Sequence, residues 1–557
     1  MAENNKDVYD DVSKEELEEK LFNRNFVKYG LDLNPVVSIS AGVFVILFAL
    51  YALFNLEHAN EMFVLINDAI IQNADWVFIL GSNFFIVVSL YFAFSKLGNV
   101  RIGGVHSKPE FSNFAWFSML LSAGMGIGLM FWAVGEPLYH SEITPPIFVG
   151  EADSATTALA ATFFHWGFHP WGIYALISLA LAFFAYNKNL PLSLRSVFYP
   201  LLGDRVFGLI GDLIDTLAVL ACLFGLATSL GLGAQQVNSG LNYLIGIEIS
   251  VTVQVLLIAG ITGIAVISVV SGIDKGVKFL SQLNIQIAFV VMLIVLILGP
   301  TGFIIRMFAN SLGLYLNDFV QSSFFISVGD KEWQGSWSVF YLAWWISWSP
   351  FVGMFIARIS RGRTIREFVL AVMIVPSMLS FLWLSTFGST AIHLNEINNG
   401  ALFQAVQDDL PVALFEMVNL LPMPLLEGLL RMFISGLATI LIISFFVTSS
   451  DSGSLVVDNI TSGGKLDSPV PQRVFWACME GLVAAVLLII GGEAALNALQ
   501  TAVISTGLPF AILLTIMSIS LLKSLQVSHQ KQKSIRDVKH FKNIRRKLDK
   551  EKKGKKG

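Results

Sequence analysis

Tryptophan, glycine and paired hydroxyls carry the chemical signal in this chain. In the run FFHWGFHPWGIYAL, Trp166, Trp171 and Tyr174 fall within an arc of about 140° on a helix of ~3.6 residues per turn. In YLAWWISWSPFVGMFIARISRGR, Trp345, Trp348, Phe351 and Phe355 share a comparable arc. Ring faces attract a large, diffuse cation by ~2 kcal/mol or more once water is excluded, so two such faces suit a methylated ammonium. A single aromatic stripe is ordinarily core packing; two stripes beside backbone interruptions favour a cage. The run LLSAGMGIGLMFWAVGEPLYH alternates Gly124, Gly126 and Gly128, each destabilising a helix by ~1 kcal/mol relative to alanine. Amides freed around Met125, Gly126, Ile127 and Gly128 could hold a carboxylate. A zwitterion would satisfy both halves of such a site. In SFFVTSSDSGS, Thr448 and Ser449 place two hydroxyls one helical step apart, a set suited to a hard cation or, alternatively, to bonding back to their own helix. His165 and His169 have metal-ligand spacing, but the remaining histidines are scattered, so no metalloenzyme centre is expected.

These residues must be held by helices in a bilayer. Of 557 residues, 55% are hydrophobic and 14% charged, with a mean hydropathy of +0.68, far more apolar than a soluble domain. Apolar runs long enough to cross a ~30 Å hydrocarbon core recur along the chain, roughly twelve of them. Their expected centres are Val45, Phe84, Gly126, Trp171, Ala221, Gly260, Val290, Trp345, Ser377, Ile440, Val486 and Leu513. Backbone may unwind at membrane depth only where protein or a polar cavity receives its freed groups, which gives the glycine run a function that lipid would forbid.

Basic residues mark alternate connections: Lys96, Arg101 and Lys108; Lys188, Arg195 and Arg205; Lys275 and Lys278; Arg358, Arg361, Arg363 and Arg366; Lys465 and Arg473. The positive-inside rule makes these loops cytoplasmic, and an even number of spans then puts both termini inside. The chain's net charge of −4 conceals an acidic start and a basic close. The basic tail reads either as a solvated end or as a helix resting on anionic lipid. Asp212, Asp215 and Glu480 are intramembrane acids for which structural pairing is expected ahead of proton coupling. Glu136 and Pro137 are expected to set the exit of the glycine span. Cys222 and Cys478 lie within spans and imply no disulfide.

Five spans separate the glycine run from the run broken by Ser347, Ser349 and Pro350. Two interruptions at that offset predict two inverted five-helix repeats after two leading helices. The expected divisions are an acidic tail (1–34), two leading helices (35–112), a first repeat (113–303), a connecting interfacial helix (304–336), a second repeat (337–524) and a basic tail (525–557).

The motifs GMGIGLMFWAVGEPL, HWGFHPWGIY, AWWISWSPFVGMFIARISRGRTIREF and FFVTSSDSGS together resemble the betaine/carnitine/choline transporter family over essentially all spans. The resemblance implies an all-α polytopic membrane protein of twelve helices with LeuT-like inverted repeats, homotrimeric assembly, and uptake of trimethylammonium solutes; the basic inside loops suggest a bacterial inner membrane. It implies an aromatic box of Trp166, Trp171, Tyr174 and Trp345, with Trp348 and Phe355 along the path. It further implies a sodium site from the Thr448 and Ser449 hydroxyls, the Phe445 carbonyl and the carbonyls of Ser122 and Met125. A second sodium site in the family's betaine carriers uses two threonines where this chain has Cys222 and Leu226, leaving Thr228 or Ser229 as substitutes, or a single ion. Choline-preferring relatives often carry an acid at the place of Gly128, so glycine there resembles the zwitterion carriers. Sodium symport of glycine betaine for osmoprotection is the favoured expectation. A sodium-independent carnitine/betaine exchanger and a proton-coupled choline importer are the alternatives.

Overall fold

The computed structural model describes residues 16, 19–20, 22–124, 126–148, 152–271, 274–423, 426–465 and 467–554, and side chains within these except 123–124, 274–279, 493 and 531–554. A short hairpin comes first. Its strands, β1 (Phe26–Lys28) and β2 (Leu31–Leu33), pair antiparallel with Lys28 opposite Leu31. Tyr29 and Gly30 both have positive φ, 57° and 74°, the requirement of a two-residue type I′ turn.

Helices account for nearly everything that follows. They are α1 (Pro35–Phe54), α2 (Leu56–Phe94), α3 (Asn113–Gly124), α4 (Ile127–Glu142), α5 (Ser154–Trp166), α6 (Phe168–Lys188), α7 (Leu209–Ile245) and α8 (Val251–Ser271). The second half holds α9 (Asp274–Leu298), α10 (Thr301–Asn317), α11 (Phe340–Ile359), α12 (Ile365–Ile397), α13 (Glu427–Thr461), α14 (Val470–Gly491) and α15 (Ala495–Gly554). Among the described residues, 11 helices are long and apolar enough to cross a membrane, and the bent pair α3 and α4 makes 12. Eleven of the expected centres fall within these helices, and the twelfth, Gly126, falls at the break between α3 and α4. This is an all-α, multi-pass membrane protein.

Burial sorts the spans into core and rim. The most apolar windows of α5 with α6 and of α7 are 89% buried, whereas those of α1 and α8 are 33% buried. A helix apolar all round and buried all round belongs in the centre of a bundle, and α5, α6 and α7 are the helices that bear the aromatic run and the Cys222 segment. The chain between the two halves forms α10, which packs on α5 and α12.

The basic connections gather at one end. Arg101 donates to the Gly362 carbonyl, Arg361 lies over the Tyr186 ring, and Arg363 lies 4.4 Å from the Trp116 ring centroid. The hairpin is fastened at the same end. Arg24 pairs with Asp212 at 2.6 Å, Lys465 pairs with Asp32, and Asn34 N–H donates to the Thr461 carbonyl at 2.7 Å. Asp212 and Asp215 meet Arg195 at 3.0 and 2.5 Å, so these two intramembrane acids are structurally paired as expected.

The two expected interruptions differ. The glycine span is broken: α3 and α4 meet at 64°, and Gly126 between them is extended, with φ −167° and ψ −172°. The second is not a break, because α11 runs through Pro350 without stopping. Proline lacks the N–H that would reach the Ile346 carbonyl one turn back; the Ser349 hydroxyl donates to that carbonyl instead, at 2.7 Å. A break that periodicity did not reveal falls at Gly167, between α5 and α6 (φ −100°, ψ −124°). A Cβ there would lie 2.5 Å from the Phe163 carbonyl oxygen and 2.7 Å from Phe381, so only glycine fits.

Candidate functional site

Gly167 changes how the first aromatic run is presented. Trp166 ends one helix and Trp171 lies in the next, so the assumed continuous arc does not exist, yet the rings still converge. The freed groups find partners: Phe168 N–H donates to the Tyr315 hydroxyl at 3.2 Å, and the His165 carbonyl accepts from the Trp345 indole at 2.9 Å. The second bond fastens α11 to the break itself.

Trp166, Trp171, Tyr174, Trp345 and Trp348 line one small cavity with Pro170 and Ser380. Trp166 meets Trp345 edge-on at 4.9 Å, and Trp171 meets Tyr174 edge-on at 5.4 Å. The space is about 30 Å³, enough for about two waters at the ~10–15 Å³ each requires. That is too little for a trimethylammonium group, so the rings must part to admit one. Two buried donors at this box, the Tyr174 hydroxyl and the Trp348 indole N–H, have no hydrogen-bond partner among the described residues.

The glycines make room for the indoles. A Cβ at Gly128 would lie 2.8 Å from Trp344 and 3.0 Å from Trp166, and one at Gly126 would lie 3.8 Å from Trp348. Ile127 points elsewhere, packing on Gly233 of α7, and its side chain lines neither this cavity nor the next. Met125, expected in both the substrate and sodium sets, lies outside the described residues.

A second cavity of about 110 Å³ is lined by Ser122, Phe445, Thr448, Ser449, Phe351, Phe355 and Trp348, together with Ser281 and Asn284. The expected sodium residues that are described thus share one chamber. The Thr448 hydroxyl donates to the Ser444 and Phe445 carbonyls at 3.0 and 3.2 Å, the back-bonded arrangement open to it from sequence. Phe355 sits in this chamber, outside the ring box. Asn284, buried on α9, donates weakly to Thr448 at 3.4 Å, while its own carbonyl oxygen has no partner among the described residues. Asn284 was missed in the sequence because a lone amide in an apolar run has no periodic signature.

Glu136 was also underestimated. It is fully buried and accepts from His165 Nδ1 at 2.6 Å, Trp166 Nε1 at 2.8 Å and the Tyr341 hydroxyl at 2.5 Å. It does not set the exit of the span, since α4 runs through Glu136 and Pro137 to Glu142; it anchors the first tryptophan of the box. His165 and His169 do not converge on one point: His169 Nε2 meets the Asn83 side-chain oxygen at 3.2 Å. Ligand atoms of Glu136, His140 and His165 do lie within 4.8 Å of one another. Both nitrogens of His165 are nevertheless engaged, one with Glu136 and the other with Ser338 at 3.0 Å, so Glu136 and His165 form a hydrogen-bonded hub, with His140 Nε2 3.7 Å from Glu136.

On α7, Cys222 and Leu226 are fully buried, and Leu226 packs against Gly453. Thr228 donates to the Phe224 and Leu499 carbonyls at 3.0 and 3.2 Å, and Ser229 to the Gly225 carbonyl at 3.5 Å. Neither residue lines the ring box or the chamber at Thr448.

Comparison with known proteins agrees with this architecture. The chain is 47% identical over 510 residues to a glycine betaine/proline/choline/ectoine transporter of Vibrio parahaemolyticus, covering 90% of this chain and 89% of that one. It is likewise 47% identical over 512 residues to glycine betaine transporter 1 of the same bacterium, covering 91% of this chain and 96% of that one. A probable glycine betaine transporter of Desulfitobacterium hafniense is 40% identical over 500 residues, covering 89% of this chain and 98% of that one. The family model described as BCCT, betaine/carnitine/choline family transporter, matches residues 35–530. That match begins at the first span and ends in the last, taking in the broken helix, the ring box and the hydroxyl chamber: the chain belongs to the betaine/carnitine/choline transporter family and is a transporter, not an enzyme.

Proposed function

We propose that this transporter imports a trimethylammonium or related zwitterionic compatible solute, glycine betaine first, by sodium symport with alternating access, in the service of osmoprotection. The observation that carries the reading is the position of Trp348, which lines both the ring box and the hydroxyl chamber. The rings supply quadrupoles for the quaternary ammonium. The unpartnered Tyr174 hydroxyl and Trp348 N–H supply donors for the carboxylate. The relatives' names, which include glycine betaine, proline, choline and ectoine, support a small betaine- or choline-type solute.

In the hydroxyl chamber, Thr448, Ser449, the Phe445 carbonyl and the Ser122 carbonyl are proposed to hold one sodium ion. An ion carried down the membrane potential contributes ~2.3 kcal/mol per 100 mV, which is the drive that accumulation requires. Homotrimeric assembly, a bacterial inner-membrane location, cytoplasmic termini, two inverted five-helix repeats and contact of the basic tail with anionic lipid belong to the same proposal. The basic connections meeting at one end, with the hairpin, support that orientation.

The test is uptake into proteoliposomes. An inward sodium gradient should drive glycine betaine above equilibrium, and a competition panel of choline, carnitine, proline betaine and ectoine should rank below it. Thr448→Ala with Ser449→Ala should abolish the sodium effect. Uptake that only equilibrates the solute, or a double variant with undiminished sodium dependence, refutes the reading.

A further inference from the structure

The buried acids of the bundle fall into two kinds. Asp212 and Asp215 face Arg195, Asp75 meets Lys331 at 3.0 Å, and Glu136 gathers donors from three side chains. Glu480 has no such company. It lies midway along α14 and is fully buried. One oxygen accepts from the Ser450 hydroxyl at 3.2 Å. The other has no hydrogen-bond partner, and no lysine, arginine or histidine forms an ion pair with it, among the described residues. Structural pairing, expected for all three intramembrane acids, therefore fails for this one.

Among the described residues, no helix packed on it cancels the charge. From α13, Gly453 makes room: a Cβ there would lie 3.1 Å from the unpartnered oxygen. The same helix brings Asp451, a second acid within electrostatic reach, to which Ser268 of α8 donates at 3.0 Å. From α7 come the Leu226 methyls and the Cys222 thiol. From α8, the Thr262 hydroxyl, also buried and unpartnered among the described residues, abuts Gly481. Helix α1 carries no charged residue, α2 meets α14 away from this point through Ala59 near Val486 and Ile490, and Lys523 of α15 is engaged at the Pro200 carbonyl. An isolated carboxylate in such surroundings is costly and must be neutralised.

We propose that Glu480 is a proton site of the transport cycle: its carboxyl carries a proton in this conformation and gives it up to water when α13 moves. The proton enters from one aqueous phase, binds the unpartnered oxygen, and leaves to the other phase as the O–H bond breaks, so charge and atoms balance. Ser450, the single donor, follows Ser449 in the chain, so rearrangement at the proposed sodium residues also displaces the one bond to Glu480. This coupling rests on the reading of α13 as the sodium helix.

Glu480→Gln preserves shape and the Ser450 bond while removing the exchangeable proton. In proteoliposomes held at a constant sodium gradient, an inward pH gradient of one unit should raise wild-type betaine accumulation about tenfold for one proton moved, with a trapped pH dye reporting proton entry. The variant should retain betaine binding and sodium-driven uptake but show neither the pH effect nor the dye signal. A wild-type protein indifferent to the pH gradient, or a variant that still moves protons, overturns the proposal. A second measurement needs no substrate: a carboxylic-acid C=O stretch in the infrared spectrum, lost in Glu480→Gln, is expected, and its absence from the wild type overturns the proton site. Failure of betaine uptake under every gradient counts against the substrate reading alone, leaving the infrared result decisive here.

Discussion

Glu136 offers the most direct test of how the ring box is held. Its Oε2 accepts from both Trp166 and Tyr341, and its Oε1 accepts from His165. Glu136→Gln keeps the size and leaves an amide oxygen for the first two donors. The amide NH2 then faces His165 Nδ1, which can accept by moving its proton to Nε2, where the Ser338 hydroxyl can receive it. The bonds survive without charge assistance. A hydrogen bond to a charged group contributes ~1.5–3 kcal/mol against ~0.5–1.5 for a neutral one, so the two bonds to Oε2 weaken by about 2 kcal/mol together. If that loss falls on box geometry, glycine betaine Kd, read by tryptophan fluorescence in detergent, rises by roughly ten- to thirtyfold. Tyr341→Phe removes one of these bonds outright, ~1.5–3 kcal/mol, and leaves the Trp166 bond, so on the same accounting it should weaken binding at least about tenfold. A folded, monodisperse Glu136→Gln that binds within about twofold of wild type would refute the reasoning; Trp166 would then be held by its neighbours alone.

Three further outcomes follow from the packing. Gly128→Ala places a methyl 2.8 Å from Trp344 and 3.0 Å from Trp166; the helix gains ~1 kcal/mol of propensity but overpacking costs ~1–3 kcal/mol, so betaine binding should weaken while thermal stability changes little. Ser349→Ala exposes the Ile346 carbonyl that Pro350 cannot serve, and a buried unmet acceptor costs ~1–3 kcal/mol, visible as a lower melting temperature in detergent. Burial raises the Asp409 carboxyl above its ordinary range, and one of its oxygens is buried without a partner among the described residues. A raised carboxyl contributes stability that is full below its unfolded pKa and is lost as pH rises through the folded value; Asp409→Asn should therefore melt higher than wild type at neutral pH, with the gap closing on acidification below about 4.

The spans were legible because lipid admits few solutions: a run of apolar residues of sufficient length has to be a helix, and eleven of the twelve expected centres lie in one, the twelfth, Gly126, at the break between α3 and α4. The break at Gly126 was legible for a related reason, since alternating glycines have no purpose inside an ordinary span. Gly167 was not, because a single glycine between aromatic residues reads as a packing position; only the Phe163 carbonyl and Phe381 ring pressed against it reveal the kink. Pro350 misled in the opposite direction, its damage repaired by the neighbouring Ser349 hydroxyl, a local exchange of donors that residue type alone does not disclose. The box residues Trp166, Trp171, Tyr174 and Trp345 could be named from type and resemblance. Their fastenings could not: Glu136 lies 30 residues from Trp166 in sequence and 205 from Tyr341. Long-range polar contacts leave no periodic trace.

The hairpin at residues 26–33 reaches beyond its size. Through Arg24 it grips the start of α7, and through Asp32 it grips Lys465 and Gln472, flanking the end of α13 and the beginning of α14. Those three helices carry Cys222, Ser450 and Glu480. Any sliding of one against another at this end must stretch or release an ionic clasp rooted in soluble polypeptide. Salt screens such partly exposed pairs, so the clasp loosens as the ionic strength of the water on that side rises.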